Sequence, residues 1–139
     1  MDQFQKSKII QKSAWCLSIA LSVLLSVPIV ASAADTPEPE LRHFVALKFK
    51  STATEEQVRE IEKDFSDLKS KIPQVASIEW GKNVSPENLN KGFTDGFLVT
   101  FHTKKDRDEY LTHPEHLKFK EKALPLVDEV LVLDFWSKP

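Results

Sequence analysis

The sequence predicts an α+β domain of element order β-α-β-β-α-β, built on an antiparallel sheet. Three observations carry this reading. Residues 41–50 alternate apolar side chains at a period of two. Val58, Ile61, Phe65, Leu68 and Ile72 then recur at steps of three and four, which is the stripe of an amphipathic helix. Two further strand-like runs, 94–102 and 130–136, bracket a second helical stretch.

Each element has its own signals. In the first strand His43, Val45, Leu47 and Phe49 share one face, and Phe44, Ala46, Lys48 and Lys50 the other. The first helix opens at Thr54 with Gln57 three residues on, a capping box, and Glu55 and Glu56 suit its positive end. Pro73 closes it. Residues 75–80 read as a shorter strand, and 81–92 as a polar loop holding Asn83, Asn88 and Asn90. In the third strand Asp95, Phe97, Val99 and Phe101 share a face. Thr103 with Asp106 caps the next helix, which is interrupted near Pro114, resumes over about 115–124 and stops at Pro125. Residues 130–136, Val-Leu-Val-Leu-Asp-Phe-Trp, form the last strand. This order is the ferredoxin-like split βαβ pattern, with both helices on one face of the sheet.

The chain has 139 residues, 19 basic and 21 acidic, enough for one domain. Without a basic excess, nothing points to nucleic acid. Residues 1–33 read as a signal peptide: Lys6, Lys8 and Lys12 precede an uncharged, mostly apolar run from Ala14 that ends in Ala31-Ser32-Ala33. A cut after Ala33 removes three lysines, one aspartate and the lone cysteine, Cys16. It leaves 106 residues with a net charge of −4. An uncleaved membrane anchor is the competing reading of this run. After cleavage the expectation is an exported, periplasmic or secreted domain with no membrane segment and no disulfide. Residues 34–40, with Pro37 and Pro39, form a linker, and 41–139 the domain.

A sheet covered by helices on one side should show water a polar second face. Here strand one offers Phe44 and Ala46 opposite Val45 and Leu47, and the last strand offers Leu131, Leu133 and Phe135 opposite Val130 and Val132. Apolarity on both faces calls for a second cover, and a second copy packed sheet to sheet is the simplest. The alternative is a monomer whose exposed patch binds something else.

Chemistry centres on four histidines. His113-Pro114-Glu115-His116 follows Tyr110 by three to six residues. A histidine can act as general base or acid near neutrality, and a tyrosine hydroxyl can polarise a carbonyl. His43 and Asp95 start strands that neighbour each other in this fold, so they can share one side of the sheet. Structural roles compete with these: His113 as a helix-break residue bonded to backbone, Tyr110 as core. The sequence carries no nucleophile elbow and no phosphate-binding glycine loop. No metal or cofactor is assigned.

The domain resembles the stress-responsive dimeric α/β-barrel (Dabb) family. The resemblance runs through 42–49 (RHFVALKF), Lys71-Ile72-Pro73, 79–85 (EWGKNVS), Gly92-Phe93-Thr94-Asp95, Tyr110-Leu111, the His-Pro-Glu-His run and the last strand. It implies a ferredoxin-like homodimer closed as a barrel. In a plant member that closes a linear polyketide into a ring, the working pair is a histidine of an H-P-x-H motif and a tyrosine six residues earlier. By motif these fall on His116 and Tyr110 as catalytic residues. Pocket positions fall on His43 and Asp95, with Phe97 and His113 as further ligand-binding candidates. Asp95 stands where that member has a histidine, which changes the pocket's charge. Some members hold magnesium on backbone carbonyls near the Lys-Ile-Pro turn, here those of Lys69, Ile72 and Val75. The resemblance thus leads to a domain that binds a small, largely apolar molecule, with cofactor-free acid/base catalysis of the cyclase or isomerase kind. The alternative is a non-catalytic envelope stress protein acting as a dimeric binding module. A third reading is an oxygenase or haem-binding member of the wider dimeric α/β-barrel group.

Overall fold

The computed structural model describes residues 38–138. Residues 1–33, read above as a signal peptide with Cys16 and the expected cut after Ala33, and residues 34–37 of the expected linker lie outside the described residues. The domain runs β1 (Leu41–Phe49), α1 (Glu55–Lys71), β2 (Ser77–Lys82), β3 (Asp95–Phe101), α2 (Lys104–Thr112), α3 (Pro114–Ala123) and β4 (Val127–Trp136). The strands form one antiparallel sheet of order β2-β3-β1-β4. The fold is ferredoxin-like, and the second helical stretch is divided into α2 and α3.

Both capping boxes form. Thr54 accepts from the Gln57 amide while the Gln57 side chain reaches back to the Thr54 amide, and Thr103 and Asp106 do the same for α2. The break before α3 has a steric cause. A residue before proline is pushed to extended backbone, and His113 sits there at φ −65°, ψ 137°. Pro114 then takes the first helical position, where its missing N–H costs nothing.

Two strands differ from the sequence reading. The second was expected at 75–80 and lies at Ser77–Lys82. Val75 instead closes the turn after α1, its amide donating to the Ile72 carbonyl and its side chain fully buried. Pairing starts at Ser77 opposite Thr100 and continues to Lys82 opposite Asp95. The last strand was expected from Val130 and begins at Val127. Its charged start is held by Lys48, whose ammonium lies 3.1 Å from Asp128 and 2.6 Å from Glu129.

The core lies between the sheet and the helices. Odd-numbered residues of β1 and β3 face it: Leu41, His43, Val45 and Leu47, then Asp95, Phe97, Val99 and Phe101, all buried. The α1 stripe of Ile61, Phe65 and Leu68 packs on them. Phe97 stacks on Phe65, with ring centroids 4.0 Å apart and nearly parallel planes, and on Trp80 at 5.7 Å. Trp80 is thus a strand residue that stacks on Phe97 and leaves 44% of its surface exposed. The edge strand β4 stays bare on both faces: Val130 and Val132 on the helix side and Leu131, Leu133 and Phe135 on the other are each 40–52% exposed.

Candidate functional site

Where β4 runs past the helices, an apolar cavity of about 260 Å³ opens between the sheet and the α2–α3 corner. Its walls include Val45, Phe65, Phe119 and Val132, and its polar groups come from His43, Tyr110, His116, Lys120 and Asp134. Each polar group reaches it for a local reason. His43 is on the inward face of β1. Tyr110 ends α2, and His116 stands in the first turns of α3, so the His113-Pro114 corner folds the two onto each other. Their rings stack with centroids 4.2 Å apart, and the Tyr110 ring meets His43 edge-on at 5.8 Å.

The hydrogen bonds assign the tautomers. His116 Nδ1 lies 3.2 Å from the Leu111 carbonyl, to which it donates. Burial lowers its pKa, and the nearby charge of Lys120 adds to this against the Leu111 bond. The ring is therefore neutral near pH 7, with the Nε2 lone pair free. His43 Nδ1 lies 2.6 Å from Asp134 Oδ1, which orients that ring, and its Nε2 makes no hydrogen bond with a described residue. The other Asp134 oxygen is held by Arg107, itself 2.8 Å from Asp108. The Tyr110 hydroxyl is buried with no hydrogen-bond partner among the described residues. Burial pushes its pKa up, so it stays protonated and has a hydrogen bond to give. Two imidazoles, that of His116 with a free lone pair, and a tyrosine with an unspent donor therefore belong to residues that line one apolar cavity. A base and an oxyanion donor are what proton abstraction next to a carbonyl needs.

Of the residues singled out in the sequence, His43, Tyr110 and His116 come together. Three do not line the cavity. Asp95 shares the inward face with His43, but the register puts it opposite Leu47, while His43 is opposite Val99. It sits at the far end of the sheet, beside Glu62. Phe97 is buried behind Phe65, which is itself a wall. His113 caps α3, its ring nitrogen accepting from the Glu115 amide at 3.2 Å. Asp134, with Arg107 behind it, escaped the sequence reading. The available signal was a lone carboxylate in an apolar strand, on the Val130 and Val132 face.

The carbonyls considered for magnesium do not fit a second cation. The Lys69 ammonium donates to the Val75 carbonyl at 2.7 Å, and the Val75 amide donates to that of Ile72. Among the described residues no group of three His, Cys, Asp or Glu side chains is placed to hold a metal, and no helix is long and apolar enough to cross a membrane.

Asp95 carries a separate signature. Burial raises its pKa; the Thr94 hydroxyl, donating at 2.6 Å, opposes this, and hydrogen bonding to the Glu62 carboxyl raises it further. Glu62 in turn lies 2.9 Å from the Lys82 ammonium. The folded chain thus holds the Asp95 proton more tightly than the unfolded chain does. At pH below the ordinary carboxylate value both states are protonated and Asp95 has no effect. As pH rises through that range, the folded state is penalised. Asp95→Asn is expected to raise the melting temperature by a few degrees near pH 7 and far less near pH 3. Thermal melts across that range read the difference; a loss of stability near pH 7 would contradict this account.

The domain is ferredoxin-like and holds a small apolar cavity edged by two histidines and a tyrosine. The chain belongs to the stress responsive A/B barrel domain family, whose model matches residues 41–137. It is 36% identical over 95 residues to the stress-response A/B barrel domain-containing protein HS1 of Arabidopsis thaliana, covering 68% of this chain and 87% of that protein. It is 32% identical to olivetolic acid cyclase of Cannabis sativa, covering 68% of this chain and 94% of that one. Among solved structures, the hydroxynitrile lyase of Passiflora edulis superposes with a TM-score of 0.69 at 27% identity, covering 73% of this chain and 96% of that one. A dimeric ferredoxin-like protein of Thermobifida fusca shares the fold, with a TM-score of 0.61 at 18% identity over 70% of this chain and 90% of that one.

Proposed function

We propose that this protein binds a small, largely apolar carbonyl compound in the β4-side cavity and moves a proton on it without a cofactor. The observation that carries this reading is the stacking of the Tyr110 ring, whose buried hydroxyl has no partner among the described residues, on the ring of His116, whose Nδ1 is spent on the Leu111 carbonyl. His116 takes a proton from the carbon next to the carbonyl. Tyr110 donates to the oxygen as negative charge develops there. His43, oriented by Asp134, supplies a second proton-transfer group on the opposite wall. That two relatives are named as a cyclase and a lyase supports acid/base chemistry in this fold. The assay needs no product: 2-octanone in deuterated buffer should exchange its α-protons faster with the protein than without, as read by NMR. Exchange at the buffer rate would leave the binding-module reading in its place.

Two further parts of the reading concern assembly and place. The bare apolar faces of β4, and relatives of this fold described as dimeric, support a homodimer packed through the sheets. Native mass spectrometry is expected to give twice the chain mass; a monomer at micromolar concentration would remove the dimer from the proposal. Lys6, Lys8, Lys12 and the apolar run ending at Ala33 support export through a cleaved signal peptide.

A further inference from the structure

The wall of the cavity holds one cation that the proton-transfer reading does not use. Lys120 lies one helical turn after His116 on α3, on the same side of the helix, and lines the cavity. Its neighbours on α3 are spoken for. Lys118 pairs with Glu115 at 2.7 Å, and Lys122 with Glu60 and Asp64, both at 2.6 Å. Arg107, which pairs with the cavity residue Asp134, is committed to that aspartate and to Asp108. Lys120 alone among these makes no ion pair with any described residue. The surrounding wall is hydrocarbon: Phe119, Ala123, Leu124 and Val127.

The geometry points to Lys120 as the specificity-determining contact for a carboxylate on the ligand, so that the substrate class is an apolar keto acid. This rests on the proposed use of the cavity. The lysine holds the acid end at the rim, the chain fills the apolar interior, and the carbonyl is left to Tyr110 and His116. One ammonium matches one carboxylate. A phosphate ester would call for several donors or an arginine fork, and the one arginine nearby is already taken. In a domain of net charge −4 after signal removal, a single unpaired cation at a cavity rim also provides the local attraction an anion needs.

Octanoate and octanamide test this on the full chain, because they share a shape and differ in charge. Titration calorimetry at neutral pH is expected to show octanoate bound about tenfold tighter, a preference that shrinks in high salt. Lys120→Met should abolish the preference by weakening octanoate alone, Lys120→Glu should reverse it, and Lys120→Arg should keep it. Equal binding of the two probes, or a preference that survives Lys120→Met, overturns the assignment while leaving the cavity as a binding site. If neither probe binds, the cavity reading itself falls and the assignment with it.

Discussion

His116→Gln is expected to slow α-proton exchange of a bound ketone by about 100- to 10,000-fold, the usual contribution of a positioned general base. The argument is one of supply. At neutral pH the buried His116 ring is uncharged and spends its Nδ1 proton on the Leu111 carbonyl, so Nε2 is the lone pair available at the α2–α3 corner. Glutamine fills much of the same space against Tyr110 but cannot act as a base of similar strength. The rate should also fall below the lowered pKa of His116, as the base becomes protonated, and that limb should vanish in the variant. Tyr110→Phe should reduce the rate without lowering the melting temperature, since the hydroxyl it removes bonds to no described residue. If His116→Gln instead left exchange untouched and only lowered the melting temperature, His116 would be a structural residue.

Phe97→Ala is expected to cost about 3–5 kcal/mol of folding free energy. The ring has no exposed surface, and it is layered between Phe65 on α1 and Trp80 on β2. The sheet backbone on one side and α1 on the other cannot both close into the hole. A domain of about 100 residues has roughly 5–15 kcal/mol to lose, so the variant should be partly unfolded at physiological temperature. Urea denaturation reads the change as a lower midpoint. Phe97→Leu should lose far less, because it restores most of the volume. A loss under 1 kcal/mol for Phe97→Ala would mean that the stack is less tightly packed than its 4.0 Å centroid spacing indicates.

Local signals in the sequence mapped directly onto structure. The alternation in β1 and β3, the two capping boxes and the proline at the α2–α3 corner each act within a few residues, and each appears where its chemistry requires. The spacing of Tyr110 and His116 belongs with them, because the corner between them is local. What stayed hidden depends on pairing between distant segments. Asp134 meets His43 across 91 positions of sequence, and only the β1–β4 register decides that they are opposite each other. The same kind of register carried Asp95 away from His43 to a partner on α1 that no short-range pattern announces. The charged residues at the start of β4 and the end of β2 look like loop by composition. They are strand because Lys48 and Glu62 neutralise them from neighbouring elements.

The position of Asp134 has a consequence apart from ligand chemistry. β4 is an edge strand, and its run Val130-Leu131-Val132-Leu133 and Phe135-Trp136 is β-branched and aromatic enough to add to another copy of itself in a growing fibril. The one charge inside that run is Asp134. Arg107 holds it in the folded chain; in an opened chain the same carboxylate would repel its copies in stacked strands, the general role of a gatekeeper charge. The residue that orients a pocket histidine in the native state is thus also the charge that interrupts the strand's most fibril-compatible run.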